Sequence, residues 1–194
     1  MAGTVNPEKL YSENWKDGEA YALDVHTVSS SFLGYNEQGT PMFDTKYSHI
    51  GELLHNFKYN KNLKAVDEIV SLALPYLANW SKNFSIIIPV PYTRARETQP
   101  VFLFAEKLAK ALGKSVRTDL LAKTSAGQSK AQAKKIEIKA TKNEELPSTV
   151  LLVDDIFDTG ATLNACVKVL KEKYKVKTVY VLCITKTKNK IIRI

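Results

Sequence analysis

The sequence predicts an α/β fold built around a mostly parallel sheet. Three short, continuous apolar runs, at residues 84–91, 149–155 and 177–185, have the composition of strands buried on both faces. Segments with helical spacing of apolar residues separate these runs, at 98–113 and 162–175. Strands that alternate with helices are typical of a parallel sheet, because each parallel connection needs a crossover segment.

Two further helices are predicted ahead of the first apolar run. Residues 48–59 have helical spacing, with Ser48 as the expected N-cap. Residues 62–80 form a longer amphipathic pattern that we expect to bend or break at Pro75, which lacks a backbone N–H. The helix at 98–113 is expected to end at its glycine, a residue that tolerates the left-handed conformation common after helices.

The other segments are less regular. Residues 21–36 hold one or two strands, and a turn follows them. Residues 115–123 are predicted as one strand. Residues 124–148 are polar and lysine-rich, with a short strand at 136–140 preceded by a long loop. Loops of this length in compact domains are commonly functional lids or disordered segments.

The composition is that of a globular protein and excludes several classes. The chain has 194 residues, of which 44% are hydrophobic and 25% charged, which suits one domain with a core. No apolar run approaches the roughly 20 residues of a membrane span. The N-terminus lacks the apolar segment of a secretory signal, so we expect a cytoplasmic location. The two cysteines, Cys166 and Cys183, lie in apolar patterns and are expected to be buried.

The formal net charge is +8, and the excess is concentrated in residues 123–142 and 168–193. A basic surface attracts phosphates, either free or in nucleic acid. The alternative is a lysine-rich surface that only interacts with water. Runs of lysine alone do not decide between a phosphate-binding surface and this alternative.

The stretch VLLVDDIFDTGATL, at residues 150–163, carries the strongest indication of function. Ligands of open parallel sheets bind beyond the carboxyl ends of the strands, and Asp154 and Asp155 stand where the predicted strand ends. Because side chains alternate along a strand, the two carboxylates are expected to diverge. They suit a pair of hydroxyls or a metal ion.

The turn after the acid pair has the features of an anion site. It leads into a helix, whose first backbone N–H groups bind anions readily. Gly160 allows a close approach, and the hydroxyls of Thr159 and Thr162 can donate hydrogen bonds to phosphate oxygens. The whole stretch therefore predicts a ribose 5-phosphate site, with a plain strand–turn–helix junction as the alternative. Neither the Walker A pattern nor G-x-G-x-x-G occurs.

The same stretch is similar to the phosphoribosyl-pyrophosphate (PRPP) signature of type I phosphoribosyltransferases: four apolar residues, two acids, two apolar residues and a T-G-x-T loop. IIIPVPYTRARETQPVFLFAEKLAKALG, LLHNFKYNKN and LLAKTSAGQSKAQ resemble three segments of the ComF-like branch. The resemblance covers roughly residues 50–187. It departs in two ways: the sequence lacks the cysteine-rich zinc module with which ComF-like proteins often begin, and it has R-E-T-Q at 96–99 where R-G-F-N-Q is usual.

The resemblance implies a fold and an activity. The fold is that of type I phosphoribosyltransferases: a central, mostly parallel sheet flanked by helices in residues 51–194, with a small N-terminal hood in residues 1–50. The activity is magnesium-dependent transfer of the 5-phosphoribosyl group from PRPP to a nitrogenous base, with release of pyrophosphate.

The resemblance also implies roles for named residues. Asp154 and Asp155 would bracket the ribose hydroxyls and hold Mg²⁺ through those hydroxyls or water, with Asp155 near the reacting carbon. The 5-phosphate loop would comprise Asp158, Thr159, Gly160, Ala161 and Thr162. The pyrophosphate loop, often of unusual peptide geometry in relatives, would comprise Pro89, Val90, Pro91, Tyr92, Arg94 and Arg96. The flexible lid would use Lys123, Gln128, Lys130, Lys134 and Lys135.

Several questions stay open at the level of sequence. Tyr21, His26 and Tyr35 are candidates to contact a base, and core packing is an equal alternative; His49 and His55 are expected to be structural. The chain could be an enzyme, a non-catalytic PRPP or nucleotide sensor, or a ComF-like accessory protein that acts with nucleic acid. A homodimer is expected only by analogy with relatives.

Overall fold

The computed structural model describes residues 4–60, 62–92, 99–124 and 136–188. A short 3₁₀ helix spans Glu13–Trp15. The strands are β1 (Glu8–Lys9), β2 (Ala20–Val25), β3 (Thr27–Tyr35), β4 (Pro41–Tyr47), β5 (Ile86–Pro89), β6 (Ser115–Val116), β7 (Leu121–Thr124), β8 (Glu137–Ala140), β9 (Thr149–Phe157) and β10 (Thr178–Lys186). The helices are α1 (His49–Asn60), α2 (Leu63–Leu77), α3 (Pro100–Leu112) and α4 (Ala161–Glu172).

Six strands form the main sheet, in the order β1-β2-β10-β9-β5-β6. All neighbouring pairs are parallel except β1 and β2, which pair antiparallel. The predicted α/β class with a mostly parallel sheet is therefore confirmed. β9 and β10 are buried along most of their length, as continuous apolar runs require.

Helices cover the two faces of this sheet. The chain leaves β5 through α3 to reach β6, whereas it leaves β9 through α4 to reach β10, in the opposite direction along the sheet. Because such crossovers are right-handed, α3 and α4 lie on opposite faces. α1 packs on α2 and α2 on α3, while α4 packs against β8 of the small β7–β8 ribbon.

The strand order reverses between β5 and β9, which makes this the switch point of the sheet. Ligands of open α/β sheets bind in the crevice at the carboxyl ends of such strands. The register fixes that crevice: β5 ends where Pro89 pairs with Val153, so Asp154 is the first residue of β9 beyond its neighbour. On the other side, β10 continues until Lys186 pairs with Phe157.

This register corrects the predicted end of the strand. The acid pair lies inside β9, which continues two residues further, to Phe157. Pairing with β10 extends β9, and Thr187 N–H adds a hydrogen bond of 2.8 Å to Phe157 O. A partner strand that is distant in sequence therefore decides where β9 ends.

The segment 115–123 was predicted as one strand and is two. β6 belongs to the main sheet, whereas β7 pairs with β8. Between them Arg117 forms an ion pair with Asp119 (Nε–Oδ1 2.8 Å) and another with Glu144 (Nη2–Oε1 2.6 Å). These contacts fix a turn that the apolar pattern does not reveal.

Two predicted helix-capping residues are confirmed, whereas the helices predicted at 62–80 and 162–175 end earlier, at Leu77 and Glu172. Ser48 Oγ accepts a hydrogen bond from Gly51 N–H at 3.0 Å, as an N-cap does. Gly113 follows α3 with φ of 63°, in the left-handed region. Pro75 lies within α2, which continues for two more residues.

Both cysteines are buried as free thiols, and burial raises their pKa values far above the ordinary range.

Residues 1–50 do not all stand outside the core sheet. β1 and β2 are part of it, and only the β3–β4 hairpin forms a separate two-stranded sheet. Tyr21 lies on β2 and packs against Trp80 at 5.5 Å between ring centroids, which places it among packing residues. The hood prediction can therefore apply only to the hairpin.

Among the described residues, no helix is long and apolar enough to cross a membrane.

The β7–β8 side of the fold depends on Tyr174, which is fully buried. Its hydroxyl donates to Leu120 O at 2.5 Å and accepts from the N–H groups of Thr141 and Lys142, both at 3.2 Å. We expect Tyr174→Phe to lower the free energy of unfolding by roughly 1–3 kcal/mol, because buried partners lose their hydrogen bonds.

Urea denaturation measures this change. The matched control is Tyr180→Phe, whose hydroxyl accepts only a surface hydrogen bond, from Asn83 at 2.9 Å, among the contacts described. Equal losses in the two variants would contradict the role assigned to Tyr174.

Candidate functional site

A cavity of about 450 Å³ opens at the switch point of the sheet. Its walls include Pro91 and Tyr92 after β5, Asp154 and Asp155 of β9, and Lys58 of α1. A smaller cavity of about 160 Å³ adjoins it along the turn at 157–162, and Asp154 lines both cavities. The acid pair and the glycine turn therefore border two adjoining cavities that share lining residues.

The two acids have different surroundings. Asp154 is buried, and its Oδ1 accepts a hydrogen bond from Asp155 N–H at 2.7 Å. Asp155 is partly exposed, and its Oδ2 lies 2.6 Å from the ammonium nitrogen of Lys58. Asp154 thus faces a buried environment, whereas Asp155 faces a cation. This difference limits the repulsion between the two carboxylates.

Burial raises the pKa of Asp154 to about 8, and the negative charge of Asp155 adds to this rise. The N–H of Asp155 and the positive charges of Lys58 and Lys123 oppose it. The Asp154 side chain is accordingly mostly protonated at neutral pH, and it can both donate and accept a hydrogen bond.

The turn at 158–162 is shaped by Gly160, whose φ is 76°. A Cβ atom at this position would lie 2.9 Å from the Phe157 ring, closer than real Cβ contacts allow. Thr159 Oγ1 accepts from Ala161 N–H at 3.3 Å, and Thr187 Oγ1 donates to Asp158 Oδ1 at 2.8 Å. The turn places the first N–H groups of α4, which lack intrahelical acceptors, at the smaller cavity.

An N-terminal segment supports this turn, and sequence analysis did not assign it that role. Asn164 Oδ1 accepts hydrogen bonds from Ser12 Oγ and Asn14 Nδ2, both at 2.7 Å. The buried Trp15 ring reaches within 3.6 Å of the position of a Cβ on Gly160. These contacts join residues about 150 positions apart, so no local pattern indicates them.

The turn after β5 forms the opposite wall. Val90 N–H donates to Val153 O at 2.9 Å, which ties the turn to β9. Pro89, Val90 and Pro91 are buried, and Tyr92 packs edge-on against Phe102 at 5.6 Å. No peptide bond of the described residues is cis, and the unusual geometry expected in this loop does not occur as a cis bond at residues 89–92.

Part of the predicted site cannot be located. Arg94 and Arg96 of the pyrophosphate loop lie outside the described residues, as do Gln128, Lys130, Lys134 and Lys135 of the lid. Lys123 is described: it lies in β7 and lines the larger cavity.

Lys58 lines the larger cavity and pairs with Asp155, and it was not among the site residues predicted from the sequence. It lies in LLHNFKYNKN, one of the segments with ComF-like resemblance, yet no role was assigned to it. The available signal was its spacing: Ile50 and Leu54 are buried on α1, and Lys58 continues that row at i+4. A lysine on the apolar stripe of a helix indicates a specific partner, here Asp155.

A row of aromatic rings lies beside this ion pair. His26 contacts Tyr47 (5.3 Å between ring centroids), Tyr47 contacts His55 (5.0 Å), and His55 contacts Tyr59 (4.8 Å). Burial lowers the pKa of His26, and the positive charges of Lys58 and His55 lower it further. Tyr35 lies away from this row on the hairpin, where it contacts Phe32.

The donor set suits Mg²⁺ only when the ligand brings most of the oxygens. Within the described ranges, no cluster of three or more His, Cys, Asp or Glu side chains could hold a metal. Asp154 Oδ1 and Asp155 Oδ2 already have partners in Asp155 N–H and Lys58. Because Mg²⁺ takes six oxygens in octahedral geometry, a ligand or water would have to supply most of them.

Comparisons with known proteins show what the chain is similar to. Residues 101–192 match the family model of the phosphoribosyl transferase domain. Competence protein ComFC of Bacillus subtilis (strain 168) is 29% identical over 139 residues, which cover 66% of this chain and 56% of that protein. The chain therefore spans about half the length of this curated relative. The suspected resemblance to a ComF-like type I phosphoribosyltransferase is confirmed.

Solved structures of phosphoribosyltransferases are also similar to this chain. Adenine phosphoribosyltransferase from Saccharomyces cerevisiae, in complex with an imino-altritol bisphosphate and adenine, matches with a TM-score of 0.50 at 16% identity, covering 82% of this chain and 85% of that one. Purine phosphoribosyltransferase from Pyrococcus horikoshii Ot3 matches with a TM-score of 0.46 at 23% identity, covering 62% and 72%. The first of these likenesses shows the type I phosphoribosyltransferase fold.

Asp154 should make stability depend on pH. Its pKa is raised from 3.8 to about 8 in the folded state, so between these values the folded protein binds the proton that the unfolded chain has lost. Stability from this group is therefore full at low pH and lost as pH rises toward 8, by about 1 kcal/mol or more. Asp154→Asn should remove this fall.

Urea denaturation across pH 4 to 9 measures the difference between wild type and Asp154→Asn. We expect the variant to gain relative stability as pH rises, whereas Asp44→Asn, on the exposed hairpin, should follow the wild-type curve. Parallel curves for wild type and Asp154→Asn would show that Asp154 is not protonated in the folded state.

Proposed function

We propose that this chain, which is similar to ComF-like type I phosphoribosyltransferases, binds PRPP and transfers the 5-phosphoribosyl group to a nitrogenous base with release of pyrophosphate. The observation that carries this proposal is the continuity of the two cavities. One is bordered by the acid pair and the turn after β5, and the other by the glycine turn at the start of α4.

The proposed placement follows from the chemistry of each wall. The 5-phosphate lies on the turn at 158–162, where helix N–H groups and the hydroxyls of Thr159 and Thr162 can donate to it. The ribose hydroxyls lie at Asp154 and Asp155. The pyrophosphate extends toward Pro91 and Tyr92, with Arg94 and Arg96 following in the chain.

The proposed reaction breaks the bond from the anomeric carbon to pyrophosphate and forms a bond from that carbon to a ring nitrogen of the base. The proton of that nitrogen is released to solvent. Positive charge develops on the sugar as the pyrophosphate leaves. The carboxylate of Asp155 can stabilise this charge, while Asp154, mostly protonated, holds a hydroxyl without adding a second negative charge. Mg²⁺ carried with PRPP would neutralise the leaving pyrophosphate.

The acceptor base is proposed to approach from the side of α1 and the β3–β4 hairpin. The rings of His26, Tyr47 and His55 lie on that side, next to Lys58 and Asp155. Aromatic and imidazole rings can stack on a flat base or donate hydrogen bonds to it. His26 joins this surface through Thr185, whose Oγ1 lies 3.3 Å from both His26 Nδ1 and Asp155 O.

A non-catalytic role is the second candidate, and the Lys58–Asp155 ion pair favours it. A carboxylate that is already paired stabilises developing charge less well, whereas it still accepts hydrogen bonds from sugar hydroxyls. The chain would then sense PRPP or a nucleotide, or act with nucleic acid through its basic surface. A homodimer remains a prediction from analogy.

One assay separates these candidates. The protein is incubated with PRPP, Mg²⁺ and a panel of nitrogenous bases, and pyrophosphate release is followed. We expect release with one class of base and a loss of about 10²-fold or more in Asp155→Asn, because the charge opposite the sugar is removed. Glu52→Gln, which alters an exposed carboxylate on α1, is the control and should keep the wild-type rate.

The outcomes of this assay are distinct. PRPP binding by calorimetry without release for any base would support the sensor and contradict the enzyme. Failure of PRPP to bind under any condition would contradict both the enzyme and a sensor of PRPP.

Gly160 allows a second test of the site. Gly160→Ala and Gly113→Ala both place a side chain at positive φ, at 76° and 63°, so both should cost roughly 1–2 kcal/mol of stability. Only at Gly160 does the new methyl group meet the ring of Phe157 and shift the turn. We expect Gly160→Ala alone to weaken ribose 5-phosphate binding, by about tenfold or more.

Isothermal calorimetry with ribose 5-phosphate measures both affinities. Equal binding by the two variants would mean that the turn at 158–162 does not hold the phosphate.

A further inference from the structure

The contact between Lys58 and Asp155 crosses the larger cavity from α1 to β9. The distance between Nζ and Oδ2 is 2.6 Å, and the exposed fractions of the two side chains are 14% and 27%. The ion pair between Lys16 and Glu13, whose side chains are 66% and 90% exposed, is far more open to water. The Lys58–Asp155 pair is therefore only weakly screened by solvent.

The backbone holds Lys58 in this position. Ser48 Oγ donates to Val25 O at 2.5 Å and accepts from Gly51 N–H, which anchors the start of α1 at the end of β2. At Gly51 the helix approaches the sheet so closely that a Cβ atom would lie 2.1 Å from His26 O. The helix cannot shift without losing these contacts, so the ammonium group is aimed at Asp155 by the fold.

A cation at this place changes what the acid pair can bind. A phosphorylated sugar is an anion, and an unpaired carboxylate would repel it. A divalent cation held between the carboxylates and the ligand is one way to offset that repulsion. Here Lys58 supplies a positive charge on the protein itself, and Lys123 on the cavity wall adds to it.

The same charges oppose a metal ion bound to the protein. An ion coordinated by Asp155 would have to displace Lys58 or lie within a few ångströms of its ammonium group, where repulsion in a partly buried site is strong.

We propose that Lys58 is the resident counter-ion of Asp155, so that the acid pair binds the phosphorylated sugar without a divalent cation coordinated by the protein. This inference rests on the proposed function for the identity of the ligand. It concerns only a metal held by Asp154 and Asp155, since a metal bound to the pyrophosphate of PRPP arrives with the ligand. Lys58 is in this account a positioning residue that acts through Asp155.

The first test needs no sugar ligand. Mn²⁺ is titrated into wild type, Lys58→Met and Lys58→Arg, and free Mn²⁺ is followed by electron paramagnetic resonance. We expect Lys58→Met to bind one Mn²⁺ about tenfold or more tighter than wild type does, because the carboxylate is released from its partner. Lys58→Arg keeps the charge and should behave as wild type.

Asp155 must account for any gain. The double variant Lys58→Met/Asp155→Asn leaves no unpaired carboxylate at this position, so it should fold and lose the additional Mn²⁺ binding. If Lys58→Met proves unstable, the comparison of Asp155→Asn with wild type still gives a result. Asp155→Asn alone should then bind Mn²⁺ no better than wild type does. Equal Mn²⁺ affinity in wild type and a folded Lys58→Met would overturn the proposal.

The second test measures ribose 5-phosphate by calorimetry, in EDTA and in Mg²⁺. We expect wild-type affinity to change less than about threefold between these conditions, whereas Lys58→Met should bind about tenfold more weakly in EDTA and regain affinity in Mg²⁺. Lys168→Met, an exposed lysine on α4, is the control and should match wild type. Wild-type binding that requires Mg²⁺, or an equal loss in both conditions, would overturn the inference.

The two tests also separate this inference from the proposed function. If neither ribose 5-phosphate nor PRPP binds to wild type, the proposed function fails, while the Mn²⁺ comparison still decides the role of Lys58.

Discussion

The site depends on how β9 pairs with its two neighbours. β5 stops where Pro89 meets Val153, whereas β10 accompanies β9 to Phe157. One edge of β9 is therefore open from Asp154 onward, and the other edge remains fixed. The open edge creates the cavity, and the fixed edge holds the acid pair and the following turn in place at its floor.

Two adjacent carboxylates on one strand are tolerated because their surroundings differ. Asp154 is buried, which favours its protonated form, and Asp155 lies beside a lysine from a helix on the same face. The protonated form of Asp154 carries no charge, and the charge of Asp155 is balanced by the lysine. The two side chains therefore repel each other less than two free carboxylates would. His26, at one end of the aromatic row, lies 3.3 Å from Thr185 Oγ1, which is also 3.3 Å from Asp155 O, so the acid pair and the proposed base side are close to each other.

The sequence predicted what local chemistry determines. Continuous apolar runs located β5, β9 and β10, and the properties of Ser48 and Gly113 located helix ends. The position of Gly160 before a helix predicted the turn, which the structure shows at positive φ. These features are set by neighbouring residues and by the conformations that each residue type allows.

Contacts between distant segments were not predictable in this way. Lys58 was missed because its partner lies about a hundred positions further along the chain, and Trp15 because the turn it supports lies still further away. Tyr21 was considered for the base side on composition alone, but its strand belongs to the core sheet. The length of β9 depended on pairing with β10, which the apolar pattern does not contain.

The most direct test of this account is a crystal structure of the chain with bound PRPP. We expect the 5-phosphate on the N–H groups of residues 159–162, the ribose hydroxyls within hydrogen-bond distance of Asp154 and Asp155, and the pyrophosphate beside Pro91 and Tyr92. PRPP bound elsewhere, or bound with its phosphate away from the glycine turn, would contradict the account.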